Sequence, residues 1–201
     1  MWKKLFQQIF FTITNLKRTK IEIWLFRVNS FTKLKCISIL LMALAFVGCS
    51  KKSDEYYLEQ AKSAAEKNNI QEAVTAYQNL VKEYPESPKV PEALFQLATL
   101  YQNRMVKEGN LTDVQSLEKA VEIFRSIYDK YPQSNLSAKA LFMSGFIQSN
   151  ELKQYPEATA TFNLFLQKFP NNDLASSAKE ELNNMGLTPE QILKKKVSMK
   201  N

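Results

Sequence analysis

One pattern governs what this chain can fold into. Three times, an alanine is followed four residues on by an aromatic, eight further by a proline and eight further by another alanine. The three sets are Ala73, Tyr77, Pro85, Ala93; Ala120, Phe124, Pro132, Ala140; and Ala158, Phe162, Pro170, Ala178. Each proline follows an aromatic: Tyr84, Tyr131 or Phe169. Self-similarity at fixed offsets marks a repeat architecture, in which one unit cannot bury its apolar face alone and needs its neighbours to do so. Between these marks the sequence is nearly glycine-free, rich in Ala, Leu, Glu, Lys and Gln, with apolar residues three and four apart. That spacing is the mark of amphipathic helices.

Each position has a physical task. Proline ends a helix because it lacks an amide hydrogen and pushes its predecessor out of the helical region. A second set of small residues, Ala61, Ala98 and Gly145, precedes the first alanine of each unit. Small side chains on both strokes of a hairpin let a helix A and a helix B approach closely. Tyr77, Phe124 and Phe162, one turn along from the alanine, then fill the gap against the neighbouring unit. Ser87 and Ser134 offer capping groups near the start of the next helix.

The predicted helices cover residues 55–67, 70–84, 89–107, 113–131, 136–150, 155–168 and 173–185. The last has no partner, and such helices cap a solenoid by covering its open apolar edge; Gly186 and Pro189 stop it. Residues 187–201, with Lys194, Lys195 and Lys196, read as a basic tail or a short further helix that frays into one. The tail is either solvated or in contact with anionic lipid or a partner.

On these residues the chain resembles the tetratricopeptide repeat family, built of two antiparallel helices per unit, over about residues 55 to 185. The resemblance implies an all-α solenoid of about three helix pairs plus a C-terminal capping helix. It also implies that the helix A faces line a concave groove for peptides or extended segments. The usual groove positions fall on Leu58 and Lys62 in the first unit and on Phe95, Thr99, Gln102 and Asn103 in the second. In the third they fall on Lys139, Phe142, Phe146 and Asn150. Two readings of the equivalent Phe95 and Phe142 stand: they line a groove for apolar side chains, or they pack in the core or against the terminal helix. The basic clamp some members use for a C-terminal carboxylate is not matched, since Asn103 and Asn150 alone do not rebuild it.

The second unit departs from the others. Ala61 to Ala73 is 12 residues and Gly145 to Ala158 is 13, but Ala98 to Ala120 is 22. The extra residues surround Gly109 and Asn110, with Thr112 and Gln115 placed to form a capping box. An elongated hairpin is expected, with helix A running past Asn103 and helix B starting early; a disordered loop is the alternative.

Composition narrows the function. The net charge of +7 lies wholly in the N-terminal segment, where eight Lys/Arg stand against one acid up to Gly48. From Cys49 onward there are 19 basic and 19 acidic residues, so the repeat region has no electrostatic footprint for nucleic acid. The chain has no histidine, which removes the commonest general base and the commonest metal ligand. Cys36 and Cys49 alone cannot form a zinc site, and four glycines leave no material for a phosphate-cradling loop. The expectation is a non-enzyme with no cofactor, no metal and no small-molecule substrate. A hydrolase of the cell wall using carboxylates alone is a remote alternative; it would need a paired Asp/Glu constellation that the sequence does not supply.

Residues 32–49 read as a bacterial secretory signal with a lipoprotein cleavage site. Lys33 and Lys35 give the positive region, Cys36 to Val47 the apolar run, and Val47-Gly48 the small residues before Cys49. Twelve apolar-rich residues fall short of the roughly 20 that span a bilayer; an uncleaved membrane anchor or a buried helix is the alternative. The string Phe46-Val47-Gly48-Cys49 resembles the lipobox of bacterial lipoproteins, with Phe46 where leucine is usual. The resemblance implies that Cys49 becomes the first mature residue and carries acyl chains such as palmitate, which anchor without a transmembrane helix. The expected organisation is an upstream extension at 1–27, a signal at 28–48 and a lipidated linker at 49–54, followed by the repeat domain at 55–186 and the basic tail at 187–201. Residues 1–27 are either untranslated, with the start at Val28, or a basic extension. After cleavage no disulfide is possible.

The strings Tyr84-Pro85-Glu86-Ser87 and Tyr131-Pro132-Gln133-Ser134, each followed by an Ala-rich helix, are similar to repeats in two kinds of envelope protein. One is the BamD-type lipoprotein of the outer-membrane β-barrel assembly machinery. The other is the periplasmic coordinator that joins cell division to the Tol–Pal system. A lipidated Cys49 favours the first, although that type has five repeats where this chain has about three. The resemblance implies a lipid-anchored scaffold on the periplasmic side of the outer membrane, with envelope proteins as partners and the membrane reached through Cys49. The alternative is a division or peptidoglycan-linked adaptor. The motifs Asn110-Leu111-Thr112 and Asn135-Leu136-Ser137 match the N-glycosylation pattern and are coincidental in such a chain.

Overall fold

The computed structural model describes residues 52–107 and 109–198. The upstream extension, the signal and Cys49 lie outside the described residues. The chain divides after Lys51, and all the helices named below belong to the unit that begins at Lys52.

Every regular element among the described residues is helical. In chain order they are α1 (Asp54–Glu66), α2 (Ile70–Glu83), α3 (Val90–Gln102), α4 (Asp113–Lys130), α5 (Ser137–Phe146), α6 (Tyr155–Lys168), α7 (Ala175–Asn184) and α8 (Pro189–Ser198). A π-helical segment, Ile147–Glu151, continues α5. Contacts run mainly between helices adjacent in sequence, α1 to α2, α2 to α3 and so on to α7. That is the nearest-neighbour pattern of a stacked repeat. The pairs α1/α2, α3/α4 and α5/α6 are the three units, and α7 covers α6.

The small residues sit where the helices cross. Ala61, Ala73, Ala98, Ala120 and Ala158 have no exposed surface. Tyr77, Phe124 and Phe162 are among the largest fully buried side chains. Close approach of the backbones and one aromatic per unit therefore build the core strip, as the sequence pattern requires. Pro85, Pro132 and Pro170 lie exposed in the turns just after each helix B.

Those B-to-A turns are three copies of one structure. Tyr84, Tyr131 and Phe169 end their helices at φ near −130° (−134°, −128° and −130°). Ser87 N–H donates to Tyr84 C=O at 3.0 Å, Ser134 N–H to Tyr131 C=O at 3.0 Å, and Asn172 N–H to Phe169 C=O at 3.1 Å. The serines act differently from the expected helix caps. Ser87 Oγ accepts from Lys89 N–H and Ser134 Oγ from Leu136 N–H, each at 3.2 Å, and Asn172 Oδ1 accepts from Leu174 N–H at 3.0 Å. These are local turns two residues long that aim the chain into the next helix. True caps form elsewhere. Ser53 Oγ accepts from Tyr56 N–H at 3.1 Å on α1, and Thr112 with Gln115 makes the full capping box on α4.

The A-to-B turns use left-handed backbone at Asn68 (φ 60°), Arg104 (φ 57°) and Lys153 (φ 57°). Asn69 N–H reaches Ala64 C=O at 2.8 Å and Met105 N–H reaches Leu100 C=O at 3.0 Å, closing each helix A. Helix A of the second unit thus stops at Gln102 rather than running to 107 as expected. Residues 103–107 and 109–112 lie outside the helices, and Val106 among them is 3% exposed. Helix B does start early: α4 has 18 residues, against 14 each for α2 and α6. The four added residues are about one turn.

Beyond α7 the chain forms α8, so the tail includes a short helix. Thr188 and Gln191 cap it reciprocally (3.3 and 2.8 Å), and Lys195 Nζ donates to Asn183 C=O at 2.7 Å. Leu193 and Val197 are 65% and 55% exposed.

Candidate functional site

The helix A faces are the candidate binding surface, and they are built from cross-unit contacts. Between the first and second units, Lys62 Nζ pairs with Glu92 Oε1 at 2.8 Å. The Glu92 carboxylate, accepting that hydrogen bond, raises the Lys62 ammonium above the ordinary lysine value. Burial, with Glu92 nearby as a smaller cause, raises the Tyr77 hydroxyl to about 12. Between the second and third units, Lys139 Nζ stands 5.0 Å above the centroid of the Phe95 ring. Such a cation over an aromatic face contributes roughly 0.5–1 kcal/mol at an exposed site.

Phe95 itself is half-buried, edge-on to Phe124 at 5.0 Å. Its ring thus meets Phe124 of its own unit and Lys139 of the next. Phe142 and Phe146 are stacked, with centroids 6.4 Å apart and planes at 23°. Phe142 also meets Phe162 at 5.6 Å and Phe165 at 5.8 Å, so it straddles the core and the helix A face. Leu58, a groove position by resemblance, is corrected to the core: it is 3% exposed and belongs to the continuous apolar cluster that runs from the first unit through the second. Its aliphatic side chain is removed from water by that cluster and is not left on the helix A face.

The polar positions are engaged as well. Thr99 Oγ1 donates to Phe95 C=O at 2.9 Å, a bond within its own helix. Gln102 Nε2 reaches Glu151 Oε1 at 3.4 Å, and Arg104 Nη2 donates to Glu151 Oε2 at 2.8 Å. Asn103 is exposed at the end of α3. Asn150 Nδ2 donates to Glu181 Oε2 at 2.8 Å, tying the third unit to α7. Sequence reasoning missed Glu92, Arg104, Glu151 and Glu181. Only the Lys62/Glu92 pair left a signal, as opposite charges at facing positions of successive helices A.

What this face can do chemically is bind. Among the described residues no group of three His, Cys, Asp or Glu could hold a metal ion, and no helix is long and apolar enough to cross a membrane. The face combines apolar ring surface at Phe142 and Phe146 with paired charges at its ends, a composition suited to partly apolar polypeptide.

A comparison with curated proteins finds no match. The family model for the tetratricopeptide repeat matches residues 55–87, 92–134 and 139–172, which are the three helix pairs with their closing turns. With more than half of the chain so matched and the helices stacked as the repeat requires, the chain belongs to the tetratricopeptide repeat family, a scaffold for protein–protein interaction.

Proposed function

We propose that this protein is a lipid-anchored scaffold of the bacterial cell envelope, held at the periplasmic side of the outer membrane through Cys49 and contributing to β-barrel assembly. The observation that carries the scaffold reading is the stack of three units presenting Phe142 and Phe146 beside Lys139 on one helix A face. The anchor reading is supported by the run Phe46-Val47-Gly48-Cys49 after an apolar segment with lysines at its start. Placement in barrel assembly is supported by the Tyr-Pro-x-Ser turns joined to that lipid signal.

Two measurements test it. Intact mass of the membrane-extracted protein should show a chain starting at Cys49 with added acyl mass, and Cys49→Ser should abolish both cleavage and addition. Crosslinking in cells followed by purification should recover barrel-assembly proteins. Recovery of septal or peptidoglycan-binding proteins instead would overturn the assembly role and favour the division adaptor. An unprocessed, unacylated chain would overturn the anchor.

A further inference from the structure

The second unit carries an insertion that the other two lack, and its described residues are tied to the fold. Val106 is buried beneath the loop, and Ser116 Oγ donates to Tyr101 C=O at 2.7 Å. Arg104 spans the turn, 3.7 Å from Asp113 and 2.8 Å from Glu151 of the third unit. A solvated loop needs none of these anchors.

The anchored loop presents apolar side chains to solvent. Met105 is 36%, Leu111 37% and Val114 55% exposed, whereas the first unit's A-to-B turn, residues 67–69, exposes no large apolar group. Leu111 sits just before the Thr112 cap, where an apolar residue normally packs on the fourth residue of the helix. That residue is Ser116, turned inward to Tyr101, so Leu111 has no such cover within its own hairpin. Beside it opens a cleft of ≈ 550 Å³ lined by Tyr101, Leu111, Gln115, Glu118, Lys119 and Glu122. Val114 lies one turn before Glu118 on the same helix face.

The charges of the cleft set the sign of its occupant. Lys119 Nζ is paired with Glu122 Oε2 at 2.9 Å. Glu118 has no ion-pair partner among the described residues, so the lining keeps one uncompensated carboxylate next to an uncovered leucine.

We infer that this hairpin is a second docking site, separate from the helix A face, for an extended protein segment in which an apolar side chain neighbours a lysine or arginine. The apolar group covers Leu111 and Val114, and the cation meets Glu118. The site does not depend on the lipid anchor.

The test pans a random dodecapeptide library displayed on phage against the full chain in detergent. Enriched peptides should share an apolar residue with Lys or Arg one or two positions away along an extended chain, more often than the unselected library does. Their synthetic forms should lose at least about fivefold in affinity on Leu111→Asn or on Glu118→Lys, a loss of about 1 kcal/mol. Replacing the peptide cation by glutamate should restore binding to Glu118→Lys. Both positions are exposed, and an unchanged thermal melt checks that the variants are folded. No enrichment, enriched peptides without the apolar–basic pair, or equal binding by the variants would each overturn the proposal.

Discussion

Gly145→Ala sets two effects of opposite sign against each other, and the structure decides between them. Gly145 lies within α5, where glycine costs roughly 0.8–1 kcal/mol relative to alanine, so propensity alone makes the substitution stabilising. A Cβ at this position would stand 3.1 Å from Phe162 Cε1 and 3.2 Å from both Cδ1 and Cζ. All three belong to one ring edge, and the ring has no exposed surface. A ring so enclosed retreats only by displacing its buried neighbours, and overpacking of this kind costs about 1–3 kcal/mol. The steric term wins, and a net loss of about 1 kcal/mol is expected, lowering the melting midpoint by a few degrees. The control is Phe162→Leu, which removes the opposing ring edge at its own cost in stability. In that background Gly145→Ala should turn stabilising by about 1 kcal/mol, because only the propensity gain is left. Urea denaturation followed by circular dichroism measures all four members of the cycle. A stabilising Gly145→Ala in the native background, or the same change in both backgrounds, would refute the reasoning.

Three further predictions rest on separate features. Ala120→Leu, at a crossing with no exposed surface, should destabilise by about 1–3 kcal/mol in a thermal melt; an unchanged midpoint would mean that the repeat register is wrong. Ser137 occupies in the third unit the place of Val90 in the second, and its Oγ is buried with no hydrogen-bond partner. Ser137→Ala should therefore raise stability by about 1 kcal/mol, and a loss of similar size by urea titration would count against it. Asp54 accepts from Ser87 Oγ at 2.6 Å and from Lys89 Nζ at 3.1 Å, which hold its carboxyl below the ordinary 3.8. Its contribution is present above 3.8 and lost as pH falls through the lower folded value. Melting midpoints across that acid range should fall more steeply for the native chain than for Asp54→Asn, and parallel profiles would sink the link.

How much of this was legible depended on whether a position needs a particular size. Where two backbones cross, only a small residue fits, so Ala61, Ala73, Ala98, Ala120, Gly145 and Ala158 gave the architecture away. The prolines marked each B-to-A turn for an equally strict reason. The A-to-B turns left no such mark, because the left-handed residues are Asn68, Arg104 and Lys153 rather than glycine. Arg104 hid the true end of α3 and made a longer helix plausible by pattern alone. Leu58 was misplaced because a groove position is assigned by spacing alone, and spacing does not say how deeply the apolar cluster draws a leucine in. The aromatic face was half legible. The spacing put Phe95, Phe142 and Phe146 on helices A, but it could not say that Lys139 covers one ring while the other two stack.

A single residue links the repeat pattern to the polar staples. The third unit spans 13 residues between its small marks where the first spans 12, and the surplus falls inside helix A. A helix takes up one extra residue as a local π turn without losing its axis, and the segment Ile147–Glu151 is that turn. Its buried side keeps Ile147 and Ser149 in the core, while the adjacent Asn150 and Glu151 reach in opposite directions along the stack. Glu151 reaches back to Arg104 and Asn150 forward to Glu181. Removing the surplus residue would restore a regular helix and turn the next residues by about 100°. The two side chains would then no longer address both neighbours. The insertion thus holds the second unit, the third and α7 in one register, and it supplies after the third unit a fastening that Asn183, standing where the other units have a small residue, could not provide by close packing.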